Sequence, residues 1–294
     1  MKMKCQLFRD IDKQLLFERD GYVVIDFTSE AIVRDIEKKI YEQNPIVPEG
    51  FSSGASIADD EIKQKLFQQI DQAMHASLEH AFINYKKLGC TFLCKAPGES
   101  GKVNVHQDWT VVDETKYSSA TVWIPTHDVD ERNGALRVLP GSHLFFDKYR
   151  NNHIPVSYRY SEQLLWDNML TVPMKPGQAF VLNHAVIHAS AVNMTNKERL
   201  VIVYGITSEE AKLCFYFSNY PKGRVEKFDM PDDFFLRYYN IGERPLFGDK
   251  VDEFDYPVPI VSGEEISELI QRERNRRASD PYFQQHWSKS PTSL

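Results

Sequence analysis

The chain has 294 residues, 42% hydrophobic and 26% charged, which is enough for one large domain with a substantial core and too apolar for a disordered chain. Its net charge of −7 speaks against nonspecific binding to nucleic acid. The one basic run, residues 272–277, carries Glu273 inside it and reads as a solvated helix face. Cys5, Cys90, Cys94 and Cys214 form no CxxC pair, as expected of reduced thiols. Residues 1–8 lack an apolar signal core, and no stretch approaches the roughly 18 apolar residues of a membrane span. The expectation is a cytoplasmic protein, monomer or homodimer, with neither membrane nor nucleic acid as partner.

Residues 11–17 predict a short helix leading through the turn Asp20-Gly21 into the β-branched strand Tyr22-Val23-Val24-Ile25-Asp26. Ser29 caps an amphipathic helix with Ile32, Val33, Ile36, Ile40 and Tyr41 at helical spacing. A second helix is predicted over 60–88, from Ile62, Leu66, Ile70, Met74, Leu78 and Phe82. From Cys90 the pattern changes to short β-rich runs at 91–94, 103–109, 120–124 and 135–139. A Tyr-rich irregular stretch over 151–168 separates these from runs at 170–174, 179–182, 187–191 and 199–206. Pro97-Gly98, Asn133-Gly134, Pro140-Gly141 and Pro176-Gly177 punctuate them. So many short strands in one segment predict a double-sheet jelly roll or barrel. Beyond Thr207 an aromatic, charged, Pro-containing tail is expected to wrap on the core, with a helix over 263–277 and a frayed end past Ser279. The reading is a mostly β fold with flanking helices: one domain over 1–294, with helical support at 1–89, a jelly-roll core at 90–207 and a C-terminal extension at 208–294.

Two distant segments carry the chemistry: His106-Gln107-Asp108, and His188-Ala189-Ser190 followed by Arg199. Two His and one carboxylate make the facial triad of non-haem Fe(II) oxygenases, which leaves half the coordination sphere open. Residues i and i+2 of a strand share a face, so His106 and Asp108 can reach one ion while Gln107 faces away; Asn104 shares that face and is a candidate for the pocket lining. An Arg fork suits a dicarboxylate, because it binds a carboxylate bidentately. Taken singly, each part has a plainer reading: a surface HxD pair, a core histidine bonded to backbone, a surface Arg beside Glu198.

Other histidines compete. His184 and His188 have the spacing of a helical zinc site, but the residue after His184 is Ala185 where a zincin needs Glu. On a strand the two would lie roughly 13 Å apart, too far for one ion. His127, Asp128 and Asp130 read as a solvated turn, and His143 as a turn residue.

The sequence resembles the phytanoyl-CoA dioxygenase family of Fe(II)- and 2-oxoglutarate-dependent oxygenases. Residues 18–24 (Glu-Arg-Asp-Gly-Tyr-Val-Val) are similar to the family's opening "DGYVV"; residues 123–125 and 133–143 to its "NGALRVIPGSH" block; and residues 188–195 with Arg199 to its "HGSxxNxTxxxR" block, although Ala189 and Ala191 stand where the family often has Gly. With His106-Gln107-Asp108 these keep the family's order over roughly residues 12–207. The resemblance implies that His106, Asp108 and His188 hold Fe(II), that Arg199 and Ser190 bind the distal carboxylate of 2-oxoglutarate, and that the fold is a double-stranded β-helix. It implies that O2 and 2-oxoglutarate are consumed, with succinate and CO2 released, to oxidise a small-molecule substrate. The carboxylate at Asp108 favours hydroxylation over halogenation, since halogenases of this fold carry a small residue there.

Overall fold

The computed structural model describes residues 5–43, 50–146, 149–218, 223–237 and 243–280. In chain order the elements are α1 (Ile11–Asp20), β1 (Tyr22–Asp26), α2 (Glu30–Gln43), β2 (Phe51–Ser53), α3 (Asp60–Ala81), β3 (Tyr85–Lys95), β4 (Val103–His106), β5 (Ser119–Pro125), β6 (Leu136–Val138), α4 (Glu162–Asp167), β7 (Leu170–Thr171), β8 (Gln178–Asn183), β9 (His188–Ser190), β10 (Arg199–Ser208), β11 (Leu213–Ser218), β12 (Arg224–Met230), α5 (Phe234–Arg237), β13 (Asp249–Asp255) and α6 (Gly263–Ala278).

Two antiparallel sheets make a double-stranded β-helix: a large one ordered β1-β8-β5-β10-β3-β2 and a small one ordered β4-β9-β6-β7. Between them lie Trp123, Leu136, Val138, Phe180, Leu182 and Val201, supplied by alternate residues of facing strands. The outer face of the large sheet is covered by α1, α2 and α3, which bury Phe17, Val33, Ile36, Leu66, Ile70 and Met74 against it. Those of α2 and α3 are the apolar stripes predicted from helical spacing, and they explain why these helices form: each stripe is stable only against the sheet. The small sheet is backed by α4 and α6, whose Leu165, Ile266 and Ile270 pack on Val105, Ile187 and Ala189.

Three element boundaries differ from expectation. Helix α3 ends at Ala81 rather than near 88, because Tyr85–Lys95 is taken by a long antiparallel ladder with β10, from Ser208↔Tyr85 to Arg199↔Lys95. Asn84, at φ 50, turns the chain between the two. The predicted strand 103–109 stops at His106, so Asp108 lies beyond it. The extension is not merely wrapped: β11, β12 and β13 form a third antiparallel sheet. Its outer strand, Asp-Lys-Val-Asp-Glu-Phe-Asp, is exposed and charged on both faces, so it shows no alternation to predict from. The predicted helix at 263–277 is α6, capped by a box in which Ser262 and Glu265 exchange hydrogen bonds. It ties the tail to the N-terminal region: Arg277 Nε donates to Asp20 Oδ1 at 2.7 Å and Arg276 to the Arg19 carbonyl at 2.7 Å. The end expected to fray lies, past Asp280, outside the described residues. Among the described residues no helix is long and apolar enough to cross a membrane.

Candidate metal centre

Strands β4 and β9 lie side by side in the small sheet, with His106 directly opposite His188. Each imidazole is oriented by its own backbone: His106 Nδ1 donates to the Asn104 carbonyl at 2.8 Å, and His188 Nδ1 to the Val186 carbonyl at 3.0 Å. Both Nε2 lone pairs are thereby free to bind a cation. Asp108 arrives from the loop beyond β4, with Oδ1 at 3.9 Å from each Nε2. Its other oxygen accepts from the Thr121 hydroxyl on β5 at 3.0 Å. One donor atom from each of the three residues lies within 4.8 Å of the others. Among the described residues this is the one cluster of three such groups with metal-ligand spacing.

The loop that carries Asp108 is held from both sides. Gln107 Nε2 donates to the Ala185 carbonyl at 2.6 Å, joining it to the turn that leads into His188. Arg150 Nε donates to the Asp108 carbonyl at 3.0 Å, while its other nitrogens grip Glu114 at 2.6 and 2.8 Å. Burial, with His106 beside it, pushes His188 down to about 4, so this imidazole is neutral at physiological pH. Burial works to raise the Asp108 carboxyl, but His188, His184, His106 and the Thr121 hydroxyl together hold it below the ordinary carboxylate range. With His188 neutral and Asp108 ionised, the two imidazoles and the carboxylate form a donor set suited to a divalent cation.

Inward of the three donors is a second polar cluster. Arg199 and Lys95 are cross-strand partners on β10 and β3, and both are buried, at 1% and 0% exposure. Arg199 stacks over the Trp123 ring at 5.2 Å and donates to the Gly134 carbonyl, while its Nε has no hydrogen-bond partner among the described residues. Lys95 Nζ donates to Ser190 Oγ at 2.6 Å and also reaches the Ser190 and Ala191 carbonyls. Because Lys95 takes up an acceptor site on Ser190 Oγ, the Ser190 proton is available to an incoming acceptor. Gly134, at φ +80, permits this packing: a Cβ there would stand 2.7 Å from the Ala191 carbonyl and 3.0 Å from Lys95 Cδ. Burial and the neighbouring Arg199 push Lys95 down to about 7, and burial pushes Arg199 down to about 10. Among the described residues neither cation has a carboxylate partner, an arrangement that calls for an anion.

The rival histidines lie elsewhere. His184 occupies a turn rather than a strand, so the strand-spacing argument against it does not apply. It approaches Asp108 electrostatically but is not part of the three-residue cluster, and burial keeps its ring neutral. His127 pairs with Glu37 at 3.5 Å, Asp130 caps a 3-10 turn, and His143 Nε2 donates to the Glu18 carbonyl at 3.0 Å. The Asn104 side chain is exposed; its backbone carbonyl orients His106 instead. Sequence reasoning missed Lys95, Thr121 and Trp123. A lysine closing the apolar run Thr-Phe-Leu-Cys was the available signal for Lys95, but the β3–β10 register that sets it beside Arg199 is not written locally.

Two cavities meet at Asp108 and Trp109. One, of about 210 Å³, also touches His106; the other, of about 310 Å³, is walled by Phe67, Leu88, Val111, Val203 and Phe235.

The family model described as phytanoyl-CoA dioxygenase (PhyH) matches residues 17–201. The chain belongs to the phytanoyl-CoA dioxygenase family. The matched segment contains all three metal-ligating candidates, Lys95, Ser190 and Arg199, and excludes the third sheet. Among curated relatives, phytanoyl-CoA dioxygenase domain-containing protein 1 of Danio rerio is 29% identical over 136 residues, 44% of this chain and 47% of that one. Phytanoyl-CoA dioxygenase 1 of Oryza sativa subsp. japonica is 25% identical over 173 residues, 58% of this chain and 56% of that one. The chain thus spans about half the length of the curated relatives it matches. Of solved structures, the epimerase SnoN in complex with Fe3+, alpha ketoglutarate and nogalamycin RO superposes with a TM-score of 0.52 at 16% identity, covering 87% of this chain and 96% of that one. The non-heme alpha ketoglutarate dependent carbocyclase SnoK gives 0.50 at 18% identity, covering 69% and 86%. At that identity the likeness is one of fold: the double-stranded β-helix is shared.

Proposed function

We propose that this family member is an Fe(II)- and 2-oxoglutarate-dependent oxygenase that hydroxylates an unactivated C–H bond of a small-molecule substrate. The observation that carries the reading is the pairing of two sites: a convergent His-His-carboxylate set, and near it two buried cations with no carboxylate partner among the described residues. His106, Asp108 and His188 would hold the iron, and the donor chemistry fits Fe(II) with half its positions left open. Arg199, Lys95 and the Ser190 hydroxyl would hold the distal carboxylate of 2-oxoglutarate. When bound, iron and 2-oxoglutarate supply O2-dependent oxidation of a C–H bond, in the balance R–H + 2-oxoglutarate + O2 → R–OH + succinate + CO2.

The protein's own part is positioning and exclusion of water. The Asn104 and Val186 carbonyls hold both imidazoles with Nε2 inward, Thr121 fixes one Asp108 oxygen so that the other faces the histidines, and the Trp123 ring screens Arg199. The fold neighbours are a carbocyclase and an epimerase, so the reaction outcome is tested directly by mass. Hydroxylation adds one oxygen to the substrate, whereas ring closure removes two hydrogens. Two measurements test the class. Anaerobic addition of Fe(II) and 2-oxoglutarate is expected to give a weak visible charge-transfer band, and its absence from metal-loaded protein would overturn the reading. Asp108→Ala is expected to abolish succinate formation; wild-type turnover in that variant would remove Asp108 from the ligand set.

A further inference from the structure

The larger of the two cavities, about 310 Å³, is built into the β3–β10 ladder. Protein interiors pack to the density of organic crystals, so a space of this size beside a metal-donor set needs a cause in the backbone. Two features supply it. The ladder runs in step from Arg199↔Lys95 to Gly205↔Gly89 and then slips, with Ile206 opposite Lys87, so Leu88 is an extra residue in β3. A bulge of this kind bends its strand and re-aims the side chains around it. Gly89 and Gly205, the facing pair at the slip, both line the cavity and put no side chain into it. A Cβ at Gly205 would stand 3.0 Å from Leu88 Cβ, so a larger residue there would displace Leu88, which also lines the cavity.

Another wall comes from beyond the family-matched segment. Phe235 lines the cavity from α5, which is fixed by its neighbours. Asp232, just before the helix, meets Lys86 of β3 at 2.5 Å. Phe234 is fully buried and packs against Phe215 at 5.5 Å and Phe247 at 6.0 Å. Leu88 and Val111 belong to that same cluster, so the bulge and the helix are packed as one body. The Phe235 ring, itself half-buried, is thereby a set wall of the cavity.

The lining is mainly apolar, with Phe67, Leu88, Val111, Val203 and Phe235 supplying hydrocarbon. Asp108 is the one charged group on the described lining, and its oxygens face the two histidines and the Thr121 hydroxyl. A charged group entering this space would shed its water and meet no counter-charge once a metal engages Asp108. A hydrocarbon group gains about fourfold in affinity for each carbon buried. At roughly 30 Å³ for each non-hydrogen atom, the volume accommodates about ten of them.

Resting on the oxygenase reading above, we propose that this chamber receives the reacting part of the substrate, an uncharged hydrocarbon group of about ten non-hydrogen atoms, and that Phe235 sets its length. One end of the group lies at Asp108, which brings a C–H bond there to the metal-donor set. Phe235 is no part of that set; it selects the substrate by closing the chamber.

The test uses the full chain and four primary alcohols as probes: 1-hexanol, 1-octanol, 1-decanol and 1-dodecanol. Their affinities are measured by saturation-transfer NMR titration on metal-free protein. Affinity is expected to rise about fourfold per carbon as far as 1-decanol and then to level off, so that 1-dodecanol binds no more tightly. In Phe235→Ala the limit is expected to move, with 1-dodecanol gaining at least about tenfold over wild type and 1-hexanol unchanged. A steady rise through 1-dodecanol in wild type would overturn the proposal, as would the same profile in both proteins. Should Phe235→Ala not fold, Phe235→Leu removes less volume and is expected to move the limit in the same direction; an unmoved limit there overturns the proposal too. In protein loaded with Zn(II) and 2-oxoglutarate, tert-butylbenzene is expected to bind at least about tenfold more tightly than trimethylphenylammonium, its cationic equivalent in shape. Equal binding of the two would refute an uncharged occupant. Replacing Zn(II) by Mn(II) is expected to speed the relaxation of bound tert-butylbenzene protons. If that enhancement is missing while the length limit and its dependence on Phe235 stand, the fault lies with the oxygenase reading and not with the chamber.

Discussion

Lys95 and Arg199 face each other across the β3–β10 ladder as two buried cations. Lys95 is pushed from 10.5 to about 7 by burial and by Arg199. Its depressed value means that the unfolded chain binds more protons than the folded one between those limits. Stability of the ligand-free protein therefore rises with pH through that window, and below about pH 7 the full cost of the buried charge is present. An anion set between the two cations reverses the depression, so 2-oxoglutarate binding at pH 8 is expected to take up a proton. Calorimetry in two buffers of different ionisation enthalpy measures this, and the uptake should vanish in Lys95→Met. That variant and Arg199→Ala should each weaken 2-oxoglutarate binding by about ten- to a hundredfold, the worth of one charge-assisted hydrogen bond, with metal affinity retained. Equal proton uptake in wild type and Lys95→Met would remove Lys95 from the anion site. At this scale the sequence was informative about types and poor about partners. The candidates His106, Asp108, His188, Ser190 and Arg199 can be named from the sequence because motif residues keep fixed local offsets. Lys95 and Thr121 cannot, because each bonds a residue brought from a distant part of the chain, Ser190 on β9 and Asp108 on the loop after β4.

Helix α6 shows what one element contributes. Its stripe of Ile266 and Ile270 closes the outer face of the small sheet over Val105 and Ala189, the neighbours of both ligating strands. Ile270→Ala should cost about 2–5 kcal/mol by leaving a cavity under that sheet. Thermal or urea unfolding checks this, and a loss below about 0.5 kcal/mol would mean the helix is not docked as described. The helix was readable from its cap and spacing because both signals are local. The end of α3 was not, since apolar residues past Phe82 continue a helical pattern that pairing with β10 overrides. Strand β13 was invisible for the opposite reason: an exposed, charged edge has no alternation, and only pairing with β12 makes it a strand.

For the whole molecule, the proposed site joins β3, β4, β5, β9 and β10, so a ligand that bridges them stabilises the fold as a unit. Mn(II), as a redox-silent substitute for iron, should raise the melting temperature, and 2-oxoglutarate should raise it further. At a hundredfold excess over its dissociation constant each ligand is worth about 2.7 kcal/mol. In Arg199→Ala the metal increment should persist and the 2-oxoglutarate increment shrink; the same increment in both proteins would place the co-substrate elsewhere. Net charge, the strand-rich middle, the amphipathic helices and the ligand types are properties of composition and short-range spacing, and the sequence by itself determined them. Which strands lie side by side follows from long-range pairing. That pairing sets His106 opposite His188 and Arg199 opposite Lys95, while the packing of the tail brings Tyr256 to the same cavity as Trp109 and Tyr149. Only the tertiary structure decided these, because register is fixed by the sum of contacts along whole strands and by no residue alone.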